Sequence, residues 1–210
     1  FLPVRGRPML YWSLRAFAAS DAIRAIAVVA PAGEEGRARE VAGEARANVW
    51  TIVAGGATRQ DSLGAGLNTL ADLTGEDPLV VVHDAARPLV RPIDIGRVAI
   101  AAERRGGAIL AVPVKDTIKI VREDERIAST PERSSLWIAQ TPQAARASLL
   151  RQGLARAQAR GTVSTDEAGL LELLGMRVPV VLGDYENIKV TTADDVIVAE
   201  AFLAAREGRA

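Results

Sequence analysis

A short apolar run, Val80-Val81-Val82, breaks abruptly into His83, Asp84, Arg87 and Pro88. This predicts a buried parallel strand that delivers polar groups at its carboxyl end, where open α/β sheets bind their ligands. An acid and an arginine three residues apart suit a metal and a phosphate. Asp84 would hold a divalent cation or a sugar hydroxyl, and Arg87 would orient the loop or a phosphate. The plainer alternative is a local ion pair in a sharp turn fixed by Pro88, and pattern alone leaves both open.

Five other segments carry groups of this kind. Gly55-Gly56-Ala57-Thr58-Arg59-Gln60-Asp61-Ser62 places two glycines between a predicted strand and a predicted helix. Backbone N–H groups there can approach a ligand closely, with Arg59 and Ser62 adding contacts, although an ordinary turn with Thr58 as helix cap explains the same residues. Lys189, in Asn187-Ile188-Lys189-Val190-Thr191, suits a phosphate as a point charge if it faces inward; taken alone it reads better as an outward lysine protecting an edge strand. Lys115-Asp116-Thr117 and Arg133 flank an exposed hairpin that either exchanges contacts with a second subunit or is simply solvated. Thr141-Pro142-Gln143 and Thr165-Asp166-Glu167 read as helix starts. His83 reads as a hydrogen-bonded packing residue rather than a general base, and no Ser-His-Asp arrangement is suggested.

The elements that must position these groups follow from periodicity. Helices are predicted over 7–20, 34–46, 58–70, 92–105, 143–159, 165–174 and 193–206, and strands over 23–30, 49–53, 79–82, 108–114, 136–139, 178–182 and 187–190. Segments 117–121 and 127–130 interrupt this rhythm as a hairpin about the charged turn 122–126. Strands alternating with helices imply an α/β fold with a doubly wound, mostly parallel sheet. With 210 residues, 49% of them hydrophobic, the chain has material for one domain with a substantial core.

Composition excludes several classes. A net charge of zero gives no global attraction to nucleic acid or anionic lipid. The absence of cysteine removes disulfides, thiolate metal sites and a Cys nucleophile, and fits a cytoplasmic protein. One histidine argues against a His-rich metal centre. No apolar run approaches the roughly eighteen residues of a membrane span.

Taken together, Gly-Gly-x-x-Arg-x-x-Ser at 55–62, His-Asp-Ala-Ala-Arg-Pro at 83–88, Pro-Val-Lys-Asp-Thr at 113–117, Leu-Trp-x-x-Gln-Thr-Pro-Gln at 136–143, Thr-Asp-Glu-Ala at 165–168 and Asn-Ile-Lys-Val-Thr at 187–191 closely resemble the 2-C-methyl-D-erythritol 4-phosphate cytidylyltransferase family along essentially the whole chain. The resemblance implies a Rossmann-like nucleotidyltransferase that moves CMP from CTP to a polyol phosphate and releases pyrophosphate, with Mg²⁺ as cofactor and a homodimer formed through the arm 115–134. It implies Asp84, Arg87 and Lys189 as catalytic residues, with Asp84 also on the metal. Gly55, Gly56, Arg59, Ser62 and Asp84 would surround the nucleotide. Thr117, Arg133, Thr141, Thr165 and Lys189 would contact the substrate, Thr117 and Arg133 from the partner's arm. The nearest alternatives are a ribitol 5-phosphate cytidylyltransferase and a non-catalytic nucleotide-binding protein. The family opens with a strand and a loop of the form Ala-Ala-Gly-x-Gly-x-Arg, ending in Pro-Lys-Gln, whereas Phe1-Leu2-Pro3-Val4 resembles the residues just after that loop. The expectation is a chain short of that βα unit by roughly thirty residues, missing its first strand and impaired in activity.

Overall fold

The computed structural model describes residues 1–74 and 77–208. A two-residue antiparallel ladder, β1 (Pro3–Val4) with β2 (Arg7–Pro8), leads into α1 (Met9–Ala18). Then β3 (Ile26–Ala30), α2 (Glu35–Glu44), β4 (Val49–Ala54) and α3 (Arg59–Thr74) alternate, and β3 pairs with β4 in parallel. Strand β5 (Leu79–Val82) and helix α4 (Pro92–Arg105) have the predicted bounds. Pro92 opens that helix in the first turn, where its missing N–H is not needed, and Gly106 closes it at φ 85°, a left-handed conformation that favours glycine.

After β6 (Gly107–Pro113) comes an exposed hairpin, β7 (Ile120–Val121) with β8 (Ile127–Ser129), closed by a single 3₁₀ turn at Arg133–Ser135. The chain returns as β9 (Trp137–Arg146), then α5 (Ala147–Arg160), α6 (Glu167–Leu173), β10 (Val180–Leu182) and α7 (Ala193–Glu207).

Several expectations need correction here. The main sheet has the order β10-β6-β9-β5, and β9 runs antiparallel to both of its neighbours. The sheet is therefore mixed rather than mostly parallel, and β5, expected as a buried parallel strand, lies at its edge, only partly buried, with antiparallel β9 as its ladder partner among the described residues. Residues 143–146, predicted to start a helix, are instead strand: Gln143, Ala144 and Ala145 pair with β5 on one side and β6 on the other. Alanine favours helix locally, but a position between two strands supplies ladder partners on both edges, and tertiary context overrides propensity. Pro142 does not begin a helix either. The register with β6 passes from Ile109↔Gln143 to Leu110↔Gln140, so Thr141 and Pro142 form a two-residue bulge that needs no ladder N–H from proline. The last correction concerns 187–190, predicted as a strand, which joins no strand ladder; Val190 N donates instead to Ala86 O at 2.7 Å.

Helices cover both faces of the main sheet. Val80 and Ala145 face Leu67 of α3, Leu150 of α5 and Leu171 of α6. Their sequence neighbours Val81 and Ala144 point the other way, to Val98 and Ala102 of α4, as strand alternation requires. The β3–β4 pair packs separately, against α1 and α2 through Leu14, Val28, Ala38 and Val41. Among the described residues it forms no ladder with the main sheet. Between the two pieces lies a cavity of about 1410 Å³, walled by Ile26, Val28, Leu67, Val80 and Val82 and lined also by Arg59, His83, Asp84 and Glu167.

Candidate active site

The polar groups gather where β4 and β5 end and α3 begins. At the first of these points, Gly55 N donates to Ala30 O at 2.7 Å and Gly56 N to Ser62 Oγ at 3.2 Å. A Cβ on Gly55 would stand 2.8 Å from Ser62 Oγ, and one on Gly56 would collide with the Asp61 side chain, so the turn closes this tightly only with glycine. Helix α3 starts with a reciprocal cap: Asp61 N donates to Thr58 Oγ1 at 3.1 Å and Thr58 N to Asp61 Oδ2 at 3.0 Å. Thr58 is thus the cap that the plainer reading required. The same turn lines a second cavity of about 580 Å³ with Val29, Ala30, Gly55, Gly56 and Ser62, at the carboxyl ends of β3 and β4.

At the first residue of α3, Arg59 reaches toward the second point. Its Nη1 and Nη2 donate to Glu167 at 2.5 and 2.9 Å, and Nη2 also meets Asp84 Oδ1 at 3.2 Å. Lys189 Nζ meets Asp84 Oδ2 at 3.2 Å. Glu167, Arg59, Asp84 and Lys189 therefore form a row of alternating charge drawn from α6, α3, the β5 loop and the 187–190 segment. Burial opposes the Arg59 charge, but the bond and charge of Glu167, with those of Asp84, outweigh it and raise the guanidinium pKa. Burial likewise pushes against the Asp84 charge, but Arg59 and Lys189 hold its carboxyl below the usual range. Glu167 is 1% exposed, and burial pushes its carboxyl up against the opposing pull of Arg59.

The turn carrying Asp84 is pinned at nearly every backbone group. Asp84 N donates to Thr141 Oγ1 at 3.1 Å, Arg87 N to Asp84 O at 2.9 Å, Ser13 Oγ to Ala85 O at 3.4 Å and Val190 N to Ala86 O at 2.7 Å. The His83 ring bonds Thr141 Oγ1 at 2.9 Å and Arg87 O at 3.1 Å, and it packs on Phe17 with ring centroids 5.2 Å apart. Burial lowers its pKa to about 4, so it is neutral at physiological pH and has the packing role expected. Arg87 spends its fork on the backbone: Nη1 donates to Asn187 O at 2.8 Å and Nη2 to Ala139 O at 3.1 Å. Of the two predicted roles, orienting the loop is the one this geometry serves.

The remaining predicted residues fall into two groups. Thr141 is brought to the site, but it is buried, with its hydroxyl taken by His83 and Asp84. Thr165 is exposed just before α6, and the helix is capped by Asp166, which accepts from Gly169 N at 2.9 Å. The expected Thr165 cap is thus displaced by one residue, because the Asp166 carboxylate takes the Gly169 N–H of the first turn. Thr117 and Arg133 lie exposed on the hairpin; within one chain they contact none of Arg59, Asp84 and Lys189, and Arg133 donates to Lys115 O at 2.9 Å across the hairpin base.

Sequence reasoning missed Glu167, read only as a first-turn helix residue, and Asn187, whose Nδ2 donates to Thr141 O at 2.9 Å. It also missed Asp195, which takes the N–H groups of Thr191 and Thr192 and so anchors the chain just after Lys189; those bonds lower its carboxyl pKa to about 2. A signal for Asp195 was present as the Thr-x-x-Asp spacing of a capping box. Glu167 lay within the Thr-Asp-Glu-Ala motif, but nothing local pointed to its partner, 108 residues away.

The donor set limits the kind of metal site. No cluster of three or more His, Cys, Asp or Glu is present among the described residues. Glu167 is buried and committed to Arg59, leaving Asp84 as the more exposed carboxylate of the row. One carboxylate fits Mg²⁺ held jointly by protein and nucleotide phosphates, and does not fit an all-protein cage.

Comparison with known proteins accords with this geometry. The family model of 2-C-methyl-D-erythritol 4-phosphate cytidylyltransferase, IspD, matches residues 1–205. The chain is 46% identical to the enzyme of that name from Pelotomaculum thermopropionicum, over 100% of this chain and 87% of the relative. It is 43% identical to that from Geobacter metallireducens, over 97% of this chain and 88% of the relative. The crystal structure of 4-diphosphocytidyl-2C-methyl-D-erythritol synthase from Anaerococcus prevotii superposes with a TM-score of 0.85 at 30% identity, covering 97% of this chain and 89% of that one. That of the Thermus thermophilus cytidylyltransferase gives 0.76 at 33% identity, covering 96% and 91%. On these matches the chain belongs to the 2-C-methyl-D-erythritol 4-phosphate cytidylyltransferase family.

Proposed function

We propose that this protein transfers CMP from CTP to 2-C-methyl-D-erythritol 4-phosphate and releases pyrophosphate, in non-mevalonate isoprenoid precursor synthesis. Beside family membership, the observation that carries this reading is the alternating row Glu167–Arg59–Asp84–Lys189, set next to a glycine turn that opens on a cavity. The nucleophile is a phosphate-monoester oxygen, already anionic, so the step needs no general base. The oxygen forms a bond to the α-phosphorus of CTP. The bond from that phosphorus to the α,β-bridging oxygen breaks, and pyrophosphate leaves with the electron pair. The difficulty is bringing two anions together and stabilising charge on the α-phosphate, a problem of position and electrostatics.

The chain's residues divide that work. Gly55, Gly56 and Ser62 receive the nucleotide at the α3 end, where the turn without side chains on its glycines lines the second cavity and the helix dipole favours anions. Lys189, 48% exposed on its side chain, turns from Asp84 to the incoming phosphates. Arg59 stays on Glu167 and keeps its charge beside Asp84. Asp84 would hold a divalent cation that, when bound with the triphosphate, neutralises its charge. Arg87 fixes the loop. Thr165 lines the acceptor pocket.

We read residues 1–210 as one cytidylyltransferase domain whose arm, 115–134, reaches a second subunit. Exposed apolar side chains on that arm, Ile118, Ile120, Val121 and Ile127, support a homodimer in which Thr117 and Arg133 contact the acceptor phosphate of the partner's site. The test is pyrophosphate release by the full-length natural protein from CTP and Mg²⁺, with methylerythritol phosphate and ribitol phosphate offered in parallel. Turnover of the first alone is expected, and release with neither overturns the reading. Mixing Arg133→Ala with Asp84→Ala subunits should restore activity in mixed dimers; no recovery refutes the shared site.

A further inference from the structure

The single histidine is the ionisable group at the site that the transfer does not use. Its hydrogen bonds can nevertheless be given a direction. Arg87 O, 3.1 Å from His83 Nε2, can only accept, so Nε2 carries the ring proton. The neutral ring then presents a bare Nδ1 to Thr141 Oγ1 at 2.9 Å, and the hydroxyl must donate to it. With its proton committed, Thr141 Oγ1 offers lone pairs to Asp84 N–H at 3.1 Å. The chain of bonds runs one way, from Asp84 N–H through Thr141 to His83, while the opposite edge of the ring holds the carbonyl of Arg87. The bulge at Thr141-Pro142 is what aims the Thr141 side chain out of the ladder and at this turn.

We propose that His83 is a positioning residue: one imidazole clamps both ends of the Asp84–Arg87 turn, through Thr141 on one side and the Arg87 carbonyl on the other, and so holds the Asp84 carboxylate between Arg59 and Lys189. The clamp deepens the cytidylyltransferase reading and rests on it for its kinetic consequences alone. Its hydrogen-bond direction stands independently.

The test therefore has two arms. His83 is the one histidine of residues 1–210, and its imidazole ¹⁵N resonances in the full-length protein are assigned by their loss in His83→Asn. Two-dimensional long-range ¹H–¹⁵N spectra at neutral pH should show the Nε2–H tautomer, with an Nδ1 shift that moves in Thr141→Val and is kept in Thr141→Ser. An Nδ1–H tautomer, or an Nδ1 signal indifferent to Thr141→Val, overturns the proposal even if no acceptor is ever turned over. In the kinetic arm, His83→Asn keeps an acceptor near Nδ1, while His83→Gln keeps a donor near Nε2. Loss of an outer hydrogen bond of this kind costs about 10–100-fold in activity. That loss is expected in kcat for His83→Gln and Thr141→Val, with acceptor KM within about twofold, and His83→Asn should recover most of it. The double variant His83→Gln/Thr141→Val should be no worse than either single one. Equal losses in His83→Asn and His83→Gln refute the route through Thr141. A wild-type protein inert with both acceptors counts against the proposed function and leaves the spectroscopic arm to decide the clamp.

Discussion

Replacing Arg59 by methionine separates what the buried ion pair does for stability from what it does for the site. Glu167 is 1% exposed, and both its oxygens are met by Arg59, at 2.5 and 2.9 Å. Removing one partner of such a pair leaves a buried charge without compensation and costs about 3–5 kcal/mol. The Arg59 side chain is 35% exposed and borders a cavity, so water can reach the stranded carboxylate, and the lower end, about 3 kcal/mol, applies. For a chain of this size that is a fall in Tm of about 6–12 °C.

The loss must depend on pH. Without Arg59, burial raises the folded-state pKa of Glu167 further above its unfolded value. The carboxyl is then comfortable when protonated and increasingly costly as pH rises through the folded pKa. Arg59→Met should be destabilised more at pH 7 than at pH 5. The double variant Arg59→Met/Glu167→Leu removes both charges and should return to within about 1 kcal/mol of wild type at pH 7, because well-packed apolar replacements of buried pairs are often neutral. It should not regain pyrophosphate release, since Asp84 still lacks its Arg59 partner. Urea unfolding of the three proteins at both pH values is the assay. A single variant as stable as wild type at pH 7, or a double variant no more stable than the single, would refute the reasoning.

Other consequences are simpler. His83 has a folded pKa of about 4 against an ordinary 6.5, so its contribution is fully present above pH 6.5 and lost as pH falls through 4. That contribution is at most about 3 kcal/mol, and His83→Asn should flatten this part of the stability profile between pH 4 and 7. Leu150→Ala, at a fully buried position between α5 and the sheet, should cost about 3 kcal/mol in urea unfolding, and a loss below about 1 kcal/mol would contradict the packing described. Gly153→Ala would place a Cβ 2.8 Å from Leu170 Cβ and 3.0 Å from Leu170 O, forcing α5 and α6 apart at about 1–3 kcal/mol, measurable as a lower Tm with the site row unaltered.

Legibility in the sequence followed the range of the interactions involved. The bounds of β5 and α4 could be read because their signals are local: an unbroken apolar run that stops at His83, a proline in the first helical turn, a glycine just past the last. The same holds for the Gly55-Gly56 turn and for the motif spacings that identified the family. The single-residue error at Thr165 arose because both Thr165 and Asp166 can cap, and only the loop geometry chooses between them.

The sequence by itself determined the α/β class, the family and the short list of charged residues, since each depends on residue type and spacing along one segment. The tertiary structure alone decided how those residues are used. It made β9 an antiparallel strand, because Ala144 and Ala145 found ladder partners on two sides that no local propensity could announce. It gave Arg59 to Glu167 across 108 positions, turned Arg87 onto backbone carbonyls 52 and 100 positions away, and set Lys189 against Asp84 by tying Val190 to Ala86. A charge in a sequence announces only that it needs a partner; which partner it finds depends on the folded chain bringing two distant segments within about 3 Å.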